Sequence, residues 1–429
     1  MPKQRRKLVE DAGILKTVGV MMFCHFSVML LCINVMFDLV AYGLPLLILR
    51  KFGIISSKMF YRWTSCVINW TTPIVYGIPM VFSGTRIFCN DMEIVINLKS
   101  ENSLLLSNHG SRVDWMVAMF VGHLKSIGNK VTEQSRVGFV CEAVIQFMPL
   151  IGWYRKFVCC DIFVWRSFQN DATPIRKNIT RFHDASQKRM LFLSPEGVVV
   201  DFDEKDEIYI KECRAFCKKQ GYAPYDYVLT PRYKGTTCLL KQVTNSEYIT
   251  SICLAFVKDG KLLNCKLLSS ERVVPDIYNL IQGIWGKPVN IYMYLRKVSV
   301  SLHSFDAKTV LMKEYAWKES VLAECDNQLR RGSIETILFK KFHQLEGDVK
   351  DVIINQIIHS ILILFAAIYF SCLVHVIFFS CGLFIVISLV HTFGWFVSST
   401  SMESVPFETG VKAFITFITK FKERISKQI

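Results

Sequence analysis

Two long stretches almost free of charge constrain this chain more than any other feature. Between Lys16 and Arg50 the only charged residue is Asp38, and from Val352 to Met402 there is no Asp, Glu, Lys or Arg. A helix rises ~1.5 Å per residue and a bilayer core is ~30 Å thick, so about 20 apolar residues make one crossing. The run Val18 to Leu49 exceeds one straight crossing and falls short of two. It is expected to form either a re-entrant or broken hairpin, interrupted at Asn34, Asp38, Gly43 and Pro45, or a single tilted span. Lys3, Arg5, Arg6 and Lys7 precede it, and Arg50, Lys51, Lys58 and Arg62 follow. Positive residues favour the cytoplasmic side, which leans toward the hairpin. The run is also too long for a cleaved signal peptide.

The second run has room for a pair of transmembrane helices, turning near Gly382 or closer to Ser371. His359, His375 and His391 fall within it, sixteen residues apart. That spacing turns each by about 160° from the last, so they share no helical face and read as neutral, bundle-facing or interfacial groups. The basic end beyond, with Lys412, Lys420, Lys422, Arg424 and Lys427, suits a cytoplasmic membrane surface.

Composition agrees with a partner that is both apolar and anionic. Hydrophobic residues make up 51% of the chain, and the formal charge is +15. Such an excess points to nucleic acid, anionic lipid or phosphorylated ligands. With no zinc-finger spacing and no single basic helix fit for a groove, nucleic acid is set aside. The 15 cysteines are odd in number, scattered and without CxxC pairs, as expected of reduced thiols. Cys159-Cys160 and Cys213/Cys217 lack partner histidines at metal spacing, so no metal site is expected.

Between the apolar ends, short β-like runs recur at Leu104–Ser107, Val137–Cys141, Met190–Leu193, Tyr227–Thr230, Ile249–Val257 and Val289–Leu295. Helical patterns such as Lys205–Lys219 and Pro275–Ile284 separate several of them. The alternation predicts an α/β domain with a mixed sheet. Its expected bounds are 90–345, between an N-terminal anchor and linker over 1–89 and a C-terminal two-helix anchor with a basic tail over 346–429.

The chemistry sits at strand ends. Leu104-Leu105-Leu106 runs into Ser107-Asn108-His109, and Ser111 with Asp114 forms a capping-box pattern opening the apolar helix from Trp115. Asp114 in the first helical turn can then hold one ring nitrogen of His109, leaving the other to take a proton. The helix N-terminus and its amides lie beside any developing oxyanion. Three more strand ends follow: Ile162-Phe163-Val164-Trp165-Arg166, Leu191-Phe192-Leu193 into Ser194-Pro195-Glu196-Gly197, and Val228-Leu229-Thr230 into Pro231-Arg232. Four strand ends, each offering a polar group, are the usual raw material of an α/β active site.

In that order and spacing, these blocks resemble the glycerolipid acyltransferase family. The stretches around Leu104 to Trp115 and Tyr225 to Arg232 look most like the lysocardiolipin and lysophosphatidylinositol acyltransferase branch. The resemblance implies a membrane-anchored enzyme in the endoplasmic reticulum that moves a fatty acyl group from acyl-CoA, as co-substrate, to a free hydroxyl of a lysophospholipid. It implies that His109 is the general base and Asp114 its partner. Arg166, Glu196 and Gly197 would hold the phosphate and glycerol regions of the lipid, and Pro231 would border the acyl-donor site. The chain departs from the family pattern at Ser194, Val198 and Tyr233, which bears on substrate preference more than on the reaction. Lys125, Lys130, Arg136, Arg155, Lys156, Arg176, Lys177 and Arg181 are available for CoA phosphates or anionic head groups. Two rival readings remain: a CoA-independent phospholipid transacylase using the same base, and a non-catalytic lipid-binding protein that keeps the fold.

Overall fold

The computed structural model describes residues 14–100, 102–165, 167–185, 188–200, 204–243, 248–299, 306–332, 342–350 and 352–365. The expected transmembrane pair lies outside the described residues beyond Phe365, as do His375, His391, Gly382 and the basic tail.

The N-terminal apolar run does not turn back within Val18–Leu49. Helix α1 (Ile14–Asp38) passes through a π-helical turn, Leu39–Gly43, straight into α2 (Leu44–Lys51). The residues expected to break it are absorbed. Asn34 donates to the carbonyl of Leu30 one turn back at 2.7 Å. Pro45 falls in the first turn of α2, directly after the widened π turn, where its missing N–H is tolerated. The reversal comes later, at 52–56, and a second apolar helix, α3 (Ser57–Tyr76), returns alongside and continues through a π turn to Phe82. Ser56 caps α3 by accepting from Met59 N at 3.2 Å. By length and composition, Val18–Lys51 and Ser57–Phe82 are each able to cross a membrane.

These helices share a buried seam. Val35 and Leu39 meet Val67 and Ile68, and α5 (Ile151–Phe157) closes the cluster with Tyr154 and Phe157. Within the seam Asp38 is fully buried and accepts from the Thr71 hydroxyl, and it lies 3.0 Å from His359 Nε2 on the apolar helix α6 (Val352–Phe365). The sole charge of the first run and the first histidine of the second are thus partners across the bundle.

Nine strands form one mixed sheet among the described residues. They are β1 (Arg86–Cys89), β2 (Ser103–Ser107), β3 (Val137–Glu142), β4 (Ile162–Val164), β5 (Met190–Leu193), β6 (Tyr248–Lys258), β7 (Lys261–Leu262), β8 (Asn290–Ser299) and β9 (His343–Leu345). The spatial order is β9-β1-β8-β6-β2-β5-β3-β4, with β7 as a hairpin partner of β6. From β6 across β2, β5 and β3 to β4 every pairing is parallel, while β8 meets β6 and β9 meets β1 antiparallel.

The central strands β2, β5 and β6 are buried along almost their whole length, as a sheet covered on both faces requires. Alternation decides which face each residue serves. Leu105 and Phe192 pack with helix α4 (Asp114–His123) through Met116, Val117 and Phe120. Leu104, Leu106, Leu191 and Leu193 pack on the opposite face with Leu311 of a long helix, Ala307–Arg330. Because β2, β5 and β4 run the same way, their carboxyl ends open on one edge, the customary place for a site in such sheets.

One expected strand is absent. Tyr227–Thr230 forms no ladder, because its backbone is held by side chains instead. Glu319 accepts from the amides of Asp226, Tyr227 and Val228 at 2.7, 2.8 and 3.2 Å, and Glu196 accepts from Leu229 N at 3.2 Å. A run of amides satisfied by carboxylates has no need of a neighbouring strand.

Candidate active site

Strand β2 ends at Ser107, and the chain is pinned on leaving it. Asn108 pairs with β6 as a strand residue would, its side chain donating to Leu254 O at 3.1 Å and accepting from Leu254 N at 2.7 Å. Gly110 follows because a Cβ there would come within 2.7 Å of the Asn264 amide nitrogen. His109, between them, projects to the edge of the sheet.

His109 Nδ1 lies 3.0 Å from Asp114 Oδ2, with the imidazole 28% exposed and the carboxylate 1% exposed. The arrangement leaves Nε2 as the ring nitrogen available for proton transfer, since a carboxylate on Nδ1 holds a proton there. Asp114 is itself fixed: the Ser111 hydroxyl donates to Oδ1 at 2.5 Å, and Ser111 N donates to Oδ2 at 3.3 Å. The expected capping box is not formed. Helix α4 begins at Asp114 with Val113 as its cap, so Ser111 lies outside the helix and serves the carboxylate rather than the helix amides. The amides near the helix start are also largely committed. His109 N goes to Glu196, Arg112 N to Pro275 O at 2.8 Å and Val113 N to Ser111 Oγ at 3.1 Å.

Glu196 is 2% exposed, and each carboxylate oxygen takes a backbone amide: His109 N at 2.9 Å and Leu229 N at 3.2 Å. One side chain therefore ties the histidine block, the Pro-Glu-Gly block and the proline block together. Burial raises the Glu196 carboxyl above its ordinary range, opposed by those two amides and by the charges of His109 and Lys318. Gly197 completes the turn with φ +75°, and its amide donates to Ser194 O at 3.1 Å. A side chain at Gly197 would meet Arg232 Cδ at an ordinary 3.7 Å, so the left-handed backbone and not space calls for glycine. Pro231 is buried beside this turn, and Arg232 N donates to Pro195 O at 2.8 Å. Arg166 lies outside the described residues.

Among the cations expected to meet phosphates, Arg136, Arg155 and Lys156 are engaged internally. Arg136 is buried and donates to Thr64 Oγ1 at 2.9 Å and to the carbonyl of Val158. Arg155 pairs with buried Asp161 at 2.5 Å, and Lys156 donates to Gln146 Oε1 at 2.9 Å. Lys125, Lys130, Arg176 and Arg181 are exposed, and Lys177 is half-buried. Cys159, Cys160, Cys213 and Cys217 are free thiols.

The sequence reading missed the role of the long helix beneath the sheet, Ala307–Arg330. Its Lys318 is fully buried and donates to Leu106 O at 2.7 Å, and Tyr315 donates to Ser107 O at 3.1 Å. Burial pulls the Lys318 ammonium down to about 8, against the charges of Cys253, Glu314 and Glu196. The signal was legible: Leu311, Tyr315, Lys318 and Leu322 follow helical spacing, which puts a lysine in the core stripe.

A buried carboxylate beside a partly exposed imidazole at the carboxyl end of a parallel strand is the geometry that a general base requires. No family model matches the chain. Curated relatives do. A lysocardiolipin acyltransferase 1 from Gallus gallus is 27% identical over 208 residues, 47% of this chain and 50% of the relative. Lysophosphatidylinositol acyltransferase 10 of Caenorhabditis elegans is 25% identical over 262 residues, 59% of each chain. The 1-acyl-sn-glycerol-3-phosphate acyltransferase epsilon of Mus musculus is 29% identical over 137 residues, 32% of this chain and 35% of the relative. The chain thus has its homologues among the glycerolipid acyltransferases, and it spans about half the length of the first two. The crystal structure of the 1-acyl-sn-glycerophosphate acyltransferase PlsC from Thermotoga maritima covers 70% of this chain at 14% identity, with a TM-score of 0.33.

Proposed function

We propose that this protein is a membrane-anchored acyltransferase that moves a fatty acyl group from acyl-CoA to a free hydroxyl of a lysophospholipid. Lysophosphatidylinositol, lysocardiolipin and lysophosphatidic acid are the acceptor classes named by its relatives. The observation that carries the reading is the 3.0 Å contact between His109 and buried Asp114 on an otherwise pinned strand end. A lipid-binding protein has no use for a base oriented in this way. The apolar helices Val18–Lys51 and Ser57–Phe82 support the anchor. An endoplasmic reticulum location follows from the resemblance and is tested by fractionation.

In this mechanism His109 Nε2 takes the proton of the acceptor hydroxyl as its oxygen attacks the thioester carbonyl. Asp114 stabilises the imidazolium that forms. The tetrahedral intermediate collapses with cleavage of the carbon–sulfur bond, and the departing thiolate of CoA recovers the proton from His109. With four nearby amides already committed, the positive end of the α4 dipole is the helix's main contribution at the oxyanion.

The test is transfer of labelled acyl groups from acyl-CoA in isolated membranes, across a panel of lysolipid acceptors. We expect product with at least one lysophospholipid, loss of product in His109→Ala, and loss when acyl-CoA is withheld. Product without acyl-CoA would replace this reading by transacylation, and no product with any acceptor would leave the lipid-binding reading.

A further inference from the structure

We propose that Tyr315 and Lys318 are positioning residues for the transfer reaction, holding the end of β2 from beneath the sheet so that His109 meets Asp114. The proposal rests on the acyltransferase reading above.

The chain reaches His109 directly from Leu106 and Ser107. The carbonyls of those two residues each accept from a side chain of the helix Ala307–Arg330: Lys318 Nζ at 2.7 Å and the Tyr315 hydroxyl at 3.1 Å. Neither donor reaches solvent, and Tyr315 and Lys318 are among the largest fully buried side chains of the molecule. The ammonium also lies 4.7 Å from the centre of the Tyr315 ring. An ionised amine in such a place is costly unless its geometry is fixed by partners, so the contact is a rigid one.

The same helix governs the opposite wall of the site. Glu319 takes three amides of the 226–228 loop, and the Tyr225 hydroxyl donates to Met312 O at 2.9 Å. Glu314 forms a two-point pair with Arg296 of β8 at 2.6 and 2.9 Å, which fixes the helix against the sheet. Consecutive residues of one helix thus hold the base-bearing strand end and the loop that leads to Pro231. Glu196 adds a further tie by holding the His109 and Leu229 amides. A displacement of about 1 Å at a reacting group can cost up to ~100-fold in rate, so a brace two residues from the base belongs to the reaction and not only to the fold.

Full-length Tyr315→Phe and Lys318→Met proteins in membranes test this. The first deletes a single hydroxyl and keeps the ring, so it folds even where the second does not. We expect kcat per folded molecule to fall about tenfold in each, with KM for acyl-CoA and lysolipid within about twofold of the parent. In an Asp114→Asn background, Tyr315→Phe should have almost no further effect, because the geometry it protects is already unproductive. A lowered unfolding temperature with unchanged kcat overturns the proposal, as does full additivity with Asp114→Asn. Absence of product from the parent with every acceptor sinks the acyltransferase reading, and activity surviving in His109→Ala discards His109 as the base and the brace with it. Loss in His109→Ala with unchanged kcat in both brace variants sinks the brace alone.

Discussion

The carboxylate of Glu196 holds the backbone amide of His109 at 2.9 Å across 87 residues of sequence. With both oxygens occupied and 2% exposure, Glu196 fixes the backbone at His109 and Leu229.

Glu196→Gln is therefore expected to damage geometry. A glutamine amide presents one acceptor and one donor, so either His109 N or Leu229 N loses its partner in a buried place, at a cost of about 1–3 kcal/mol. Thermal unfolding in detergent should report that loss, and turnover should fall with it while KM for the lysolipid changes little. A raised KM with unchanged kcat would return Glu196 to direct lipid binding.

Asp114→Asn keeps the shape of the side chain but loses the charge that stabilises an imidazolium. Turnover should drop by roughly 10²–10⁴-fold, with stability nearly unchanged. Steady-state kinetics beside a melting curve checks this, and a drop below tenfold would demote Asp114 to a helix-start residue.

The Arg155–Asp161 pair is buried, with side-chain exposures of 13% and 0%. Asp161 also accepts from Phe139 N at 3.0 Å, so Asp161→Ala strands both a cation and an amide. The expected destabilisation is about 3–5 kcal/mol. Arg155→Met with Asp161→Ala should cost less than Asp161→Ala alone, measured by denaturant unfolding of all three variants.

Lys318 gives a pH signature. Burial lowers its folded pKa to about 8 from an ordinary 10.5. Between those values the unfolded chain binds the extra proton, so stability from this group rises as pH rises from 8 toward 10.5. The gap in unfolding temperature between the parent and Lys318→Met should therefore widen in the parent's favour from pH 8 to pH 10. Other titrating groups are common to both proteins and cancel. A gap that closes over that window would contradict the buried ammonium.

Local patterning carried the parallel half of the sheet into the sequence reading. Met190–Leu193 stands as expected, and Ser103–Ser107 and Tyr248–Lys258 lie within a residue or so of their expected bounds. Uninterrupted apolar runs of that length have few other fates. The His109–Asp114 relationship was legible because five residues of chain fix it. What was not legible depends on distant partners. Tyr227–Thr230 has the composition of a strand, yet Glu319, some 90 residues away, supplies its acceptors. Ser111 and Asp114 have the spacing of a capping box, yet the hydroxyl is claimed by the carboxylate. Asn34, Gly43 and Pro45 look like breakers, but Asn34 bonds to Leu30 one turn back, a π turn takes up Gly43 just before Pro45, and the true reversal follows Lys51.

Asp38 and His359 lie 321 positions apart, which bears on how the protein is made. Helix α1 carries a carboxylate whose imidazole is synthesised only after the whole sheet. Until then the Thr71 hydroxyl is the hydrogen-bond partner of Asp38 among the described residues. Maturation of the bundle thus waits on a segment 321 positions downstream, and a chain truncated before His359 would leave an acid group without its base inside the helical hairpin.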